Sequence, residues 1–70
     1  MPADGTDGPS DRERDVLLAF ARGDPAKIIA RALSISPKTV ETHKYRGLSK
    51  LGLSGRSSLL SHALDHGWQL

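Results

Sequence analysis

Seventy residues make one small folding unit, close to the lower size at which a hydrophobic core supports a fold unaided. With no cysteine, the chain has no disulfide framework, thiolate metal site or cysteine nucleophile, and no run approaches the ~18 apolar residues of a membrane span. The net charge of +2 neither requires nor excludes a polyanionic partner by itself.

Residues 1–9, MPADGTDGP, hold only Met1 and Ala3 as apolar side chains besides proline, and read as a flexible tail or the remnant of a linker. No secretory hydrophobic region follows Met1, so a cytoplasmic protein is expected. The first helix is predicted over 10–23. Ser10 with Glu13 three residues later has the capping-box spacing, and Gly23 supplies the C-terminal stop. Val16, Leu17, Phe20 and Ala21 form its apolar stripe. Asp24 and Pro25 then read as an N-cap and a first-turn proline for a second helix over 25–33, with Ile29, Ala30 and Leu33 facing inward.

After a turn at Ser34-Ile35, Ser36 and Pro37 open a third helix over 37–51. Val40 is its only aliphatic side chain before Leu48, and most of the others are long and polar. Gly52 closes it, and Leu53 is expected to tuck beneath the domain. Ser54-Gly55 precede a fourth helix over 56–66, with Leu59, Leu60, Ala63 and Leu64 on one side. Gly67 ends it and Trp68 is expected to fold back over the core edge. Neither alternating β-branched runs nor Asn-Gly or Asp-Gly hairpin signals occur, so the fold class is all-α with four helices.

The charge is unevenly distributed. Between residues 26 and 56 lie Lys27, Arg31, Lys38, Lys44, Arg46, Lys50 and Arg56 against Glu41 alone, whereas residues 1–25 carry six acidic side chains and three arginines. A basic middle flanked by acidic ends predicts one electropositive side. The second and third helices, joined by a short turn, have the layout of a helix-turn-helix, in which the first helix braces and the second enters the major groove of DNA. A capped, cationic helix with so few apolar positions suits that role.

Several pieces of the chain, in order, extend this reading. They are Arg12-Glu13 before Val16-Leu17, Ala21-Arg22-Gly23, Ile29-Ala30-Arg31-Ala32-Leu33, Ser36-Pro37-Lys38-Thr39-Val40-Glu41-Thr42-His43, and Lys50-Leu51-Gly52-Leu53 followed by Arg56. Each alone is weak; together and correctly spaced they are specific. Residues 10–67 resemble the four-helix DNA-binding domain of the LuxR/NarL (GerE-type) bacterial transcription regulators, most closely the response-regulator branch. The resemblance implies a sequence-specific, double-stranded DNA-binding transcription regulator domain, the output domain of a two-component response regulator. It implies base contacts from Glu41, Thr42 and Tyr45. Positions matching Lys27, Lys38, Thr39, Lys44, Arg46 and Lys50 lie near phosphates. It also implies homodimerisation through the fourth helix on an inverted-repeat site, here through Leu60 and Leu64, and a receiver domain N-terminal to this chain. RNA polymerase is a further partner that such a regulator admits.

The residue chemistry allows these roles independently. Lysine and arginine neutralise phosphates, and the Ser36 and Thr39 hydroxyls with the first-turn amides can bond a phosphate oxygen at the helix N-terminus. Glu41 can accept from a cytosine amino group and Thr42 can meet a thymine methyl, while Tyr45 offers a ring and a hydroxyl. Glu41 has a second available role, as an intrahelical partner of Lys38 or Lys44.

Three positions depart from the family pattern. Pro9 stands where leucine is usual before the capping serine. Ile28 stands where glutamate is frequent and is expected at the core edge. Gly47 stands where a large apolar residue is usual, which predicts a locally loose third helix, since a mid-helix glycine costs about 1 kcal/mol against alanine.

Other constellations point elsewhere less well. His62 and His66 lack a converging third ligand, so no metal is expected and they read as a surface or dimer-edge pair. His43 reads as a partly buried spacer that hydrogen-bonds. Nothing suggests a nucleophile elbow or a substrate pocket, so neither enzymatic activity nor a cofactor is expected. Two non-enzymatic alternatives are a sigma-factor region-four-like promoter-binding domain and a helix-turn-helix fold used only for protein contacts.

Overall fold

A computed structural model describes residues 8–69; most of the expected tail, residues 1–7, lies outside the described residues. Four helices follow in order: α1 Asp11–Arg22, α2 Ala26–Leu33, α3 Pro37–Leu51 and α4 Arg56–Asp65. Among the described residues there is no strand.

Helix α1 starts through a reciprocal cap. The Glu13 amide donates to Ser10 Oγ at 3.3 Å, and the Ser10 amide donates to Glu13 Oε1 at 3.0 Å. It ends at Gly23, whose φ of 98° lies in the left-handed region, allowing the Asp24 amide to reach back to the Ala19 carbonyl. A second device secures this end. Arg56, the first residue of α4, donates from Nε to the Phe20 carbonyl and from Nη2 to the Ala21 carbonyl, both at 3.1 Å. The Phe20 carbonyl also accepts from the Gly23 amide at 3.0 Å, and a cation over these last carbonyls complements the negative end of the helix dipole.

The start of α2 differs from expectation. Pro25 itself occupies the cap position with extended backbone (φ −72°, ψ 156°), so the helix begins one residue later, and no side chain caps it. The Asp24 carboxylate instead pairs loosely with Arg22 at 3.6 Å, in an exposed contact. Ser34, at φ 59°, makes the turn into α3, and the Ile35 amide bonds the Ala30 carbonyl at 3.0 Å.

Two apolar clusters are built on opposite sides of α1. Val16 and Ala19 pack with Ile29 and Ala30 of α2 and Val40 of α3, flanked by Leu33 and Ile35. Leu17 and Ala21 pack with Leu48 of α3 and Leu59 of α4, flanked by Leu51, Leu53, Leu60 and Trp68. Phe20 touches both clusters. Trp68 folds back as expected, with the Arg14 guanidinium 5.3 Å from its ring centroid. Pro9 lines the same cleft as Arg14 and Trp68. Ile28 is not at the core edge: Ile29 takes the inward position, and Ile28 is left 45% exposed.

Gly47 also differs from the expectation of a loose spot. It is buried, and a Cβ there would lie 2.7 Å from Leu17 Cδ1 and 3.0 Å from Leu17 Cγ. Leu17 is fully buried. The missing side chain lets α3 lie close against α1, so the helix-propensity cost is set against tight packing. At the far end of the same seam, Lys50 Nζ donates to Glu13 Oε1 at 2.9 Å. Burial would raise the Glu13 carboxyl, but the Lys50 hydrogen bond, the Ser10 amide and the charges of Lys50 and His43 outweigh it. Its pKa falls below the ordinary carboxylate value.

Gly47→Ala should lower the melting temperature, because overpacking costs about 1–3 kcal/mol while the propensity gain is about 1 kcal/mol; a raised melting temperature would show that the seam is not tight. Glu13→Gln should destabilise the domain on the order of 1 kcal/mol at neutral pH. Because the folded pKa is lowered, the ionised-Glu13 contribution is complete above the unfolded carboxylate range. It is lost as pH falls through the folded value. Denaturant unfolding of both proteins across acid pH should therefore show the difference shrinking as pH drops; a constant gap would contradict the pairing.

Candidate nucleic-acid interface

The helix-turn-helix is made by α2, the Ser34 turn and α3. The N-terminus of α3 is tightly organised. The Thr39 amide donates to Ser36 Oγ at 3.1 Å, and Ser36 Oγ and Thr39 Oγ1 are 2.9 Å apart. Pro37 occupies the first turn, where its missing N–H leaves no helical bond unmade. Ser36 stays exposed and Thr39 half-buried.

Helical spacing divides the rest of α3 into two faces. Lys38, Glu41, Thr42 and Tyr45 stand at i, i+3, i+4 and i+7 and share the outer side. Thr42 and Lys38 are exposed, and Tyr45 is 65% exposed despite being the chain's one tyrosine. The Thr42 hydroxyl donates to the Lys38 carbonyl at 3.1 Å, so its polar end is engaged within the helix. Val40, Gly47 and Leu48 are buried on the opposite side.

The expected phosphate-facing residues fall into two groups. Lys27, Lys38 and Arg46 are exposed and, among the described residues, form no ion pair. Lys44 and Lys50 are engaged within the protein. Lys50 is held by buried Glu13. Lys44 Nζ is 2.7 Å from Glu41 Oε1, with its side chain only 17% exposed, and lies 4.8 Å from the Phe20 ring centroid and 5.0 Å from that of Tyr45. Of the two roles open to Glu41, the structure displays the intrahelical pair, with Lys44 rather than Lys38 as partner.

The helix positions are compatible with this division, although the partners are set by how α3 docks on α1. Lys44 stands four residues after Val40 and three before Gly47, on the inner stripe. Lys50 stands seven residues after half-buried His43, on the side facing the start of α1. His43 Nδ1 is buried without a hydrogen-bond partner, so the expectation of a hydrogen-bonding spacer fails at that nitrogen. Arg56, counted in the basic middle, is committed to the end of α1.

On α4, Leu60 is half-buried against the protein's own core, whereas Leu64 is 70% exposed. The His62 and His66 rings stack at 4.0 Å. Trp68 stands edge-on to His62 at 5.6 Å. Among the described residues no group of three or more His, Cys, Asp or Glu side chains is placed to hold a metal ion. No described helix is long and apolar enough to cross a membrane.

Residues 10–63 match the family described as bacterial regulatory proteins, luxR family. The chain is 41% identical over 64 residues to the transcriptional regulatory protein MctR of Rhizobium johnstonii, covering 91% of this chain and 30% of that protein. It is 38% identical over 58 residues to the response regulator UvrY of Escherichia coli K12, covering 83% of this chain and 27% of UvrY. With the oxygen regulatory protein NreC of Staphylococcus aureus it shares 44% over 55 residues, 79% of this chain and 25% of NreC. The chain thus spans less than a third of the length of these relatives. Its four helices, its helix-turn-helix and the match across 10–63 show that the chain belongs to the luxR family of bacterial regulatory proteins, as a helix-turn-helix DNA-binding domain of transcription regulators.

Proposed function

We propose that this domain binds a specific double-stranded DNA sequence with α3 in the major groove, as the output domain of a response regulator. The observation that carries this reading is the split of α3: one side packs into the core, and the other presents Lys38, Thr42 and Tyr45 to solvent beyond a capped N-terminus. The major groove is about 12 Å wide and admits one helix. Lys38 and Arg46, with Lys27 from the bracing helix, are the exposed cations available to phosphates. Ser36, Thr39 and the first-turn amides add an anion-binding end. Thr42, its hydroxyl satisfied internally, offers its methyl to a thymine methyl, and Tyr45 and Glu41 complete the reading face. Arrangement as a response regulator rests on the likeness to UvrY and on the Ser36–His43 motif. On this reading a receiver domain precedes this one in the full protein, and RNA polymerase is a downstream partner.

Leu64 is the exposed apolar residue on α4, and Leu60 contributes mostly to the protein's own core. One leucine is far from the area of an obligate interface, so pairing through α4 belongs to the DNA-bound state, on an inverted repeat.

A mobility-shift titration across salt tests the reading: binding to no promoter fragment at low salt would end it. Lys38→Ala should weaken binding to all sequences and reduce the salt slope by about 0.9. Tyr45→Ala should alter the preferred sequence at roughly 1–3 kcal/mol of discrimination and leave the slope unchanged. Sedimentation should show a monomer without DNA, and Leu64→Ala should lower cooperativity on a two-half-site duplex without affecting a single half-site; a tight dimer in the absence of DNA would contradict the arrangement.

A further inference from the structure

We infer that Lys44 acts as a positioning residue: it fixes Glu41 as a hydrogen-bond acceptor, and the pair selects an exposed base amino group, that of cytosine, at one position of the half-site. The inference rests on the DNA-binding reading above and assigns its specificity to a particular pair.

Lys44 is poorly placed to hold a phosphate. Its spacing from Val40 and Gly47 directs it into the seam between α3 and α1, and its side chain is only 17% exposed. The ammonium lies over two rings, Phe20 of α1 at 4.8 Å and Tyr45 of α3 at 5.0 Å, and forms an ion pair with Glu41 Oε1 at 2.7 Å. The π faces stabilise the cation where it stands. To reach a phosphate, Lys44 would have to leave both rings and strand Glu41, a carboxylate, beside a polyanion.

The arrangement instead solves the difficulty of a carboxylate on a DNA-reading face. An unpaired Glu41 would meet the repulsion of the phosphates and the cost of desolvation in the groove. Lys44 neutralises it from behind and restricts its rotamers, leaving Glu41 42% exposed with its second oxygen uncommitted to Lys44. An ionised carboxylate only accepts hydrogen bonds. In the major groove the donors are the amino groups of cytosine and adenine, and carboxylates pair with cytosine N4. Lys44 also touches Tyr45, so the same ammonium braces two of the outward residues, Glu41 and Tyr45.

The test is selection from a randomised duplex library, with salt titrations on the selected site, for the wild-type chain, Lys44→Met, Lys44→Arg, Glu41→Gln and the double variant Lys44→Met with Glu41→Gln. The wild type should enrich cytosine at one half-site position. Lys44→Met and Glu41→Gln should each reduce that preference about tenfold at the same position. The double variant should lose no more than either single one, since the two residues act as a unit. Lys44→Met should leave the salt slope unchanged, and Lys44→Arg should restore the cytosine preference. Glu41→Gln, at a partly exposed position, reports independently should Lys44→Met fold poorly. If Lys44→Met keeps the preference and shallows the slope by about 0.9, Lys44 is a phosphate anchor and the inference is overturned. It is equally overturned if Glu41→Gln retains the cytosine preference. A wild-type chain that selects no sequence at low salt overturns the DNA reading and this inference with it.

Discussion

The close approach of α1 and α3 at Gly47 governs the rest of this structure. Leu17 fills the space a side chain at position 47 would occupy. With the two helices in contact there, the α3 residues on either side are drawn onto α1. Lys44 reaches the Phe20 ring on one side, and Lys50 reaches Glu13 on the other. A side chain at 47 would push the helices apart and lengthen both contacts. The reading helix is thus held by a steric contact at its centre and by a cation at each flank.

Those flanking contacts link the start of the domain to its DNA-facing surface. One Glu13 oxygen accepts both the Ser10 amide of the α1 cap and the Lys50 ammonium of α3. The capping box is therefore also an anchor for the end of the reading helix. Arg56 performs a comparable task at the other end of α1, joining α4 to the Phe20 and Ala21 carbonyls. Since Phe20 touches both apolar clusters and lies beneath Lys44, α1 acts as the keel on which α2, α3 and α4 are assembled.

This construction separates cations that support the fold from those available to DNA. Lys44, Lys50 and Arg56 are held by protein groups, whereas Lys27, Lys38 and Arg46 are exposed without an ion pair among the described residues. Counting basic residues along the chain overstates the electropositive surface for that reason. In the proposed interface this smaller set supplies the phosphate contacts that set position, while a few side chains read bases.

The amino-acid sequence by itself determined the four helices, the caps at Ser10 and Ser36, the glycine stop after α1, and the inward anchors Val40 and Leu48 of α3. These depend on hydrogen bonds and periodicity among residues three or four apart, which any reading along the chain can follow. The ordered motifs around them were also enough to reveal the family. Tertiary structure alone decided that Gly47 is a contact and not a weak point, that Ile28 faces out, and that Leu64 rather than Leu60 is the exposed leucine of α4. It also decided which cations are engaged. Lys50 meets a partner 37 residues earlier, and Arg56 meets carbonyls 35 and 36 residues earlier. Such partners are set by how helices dock, and no local spacing encodes the distance between them.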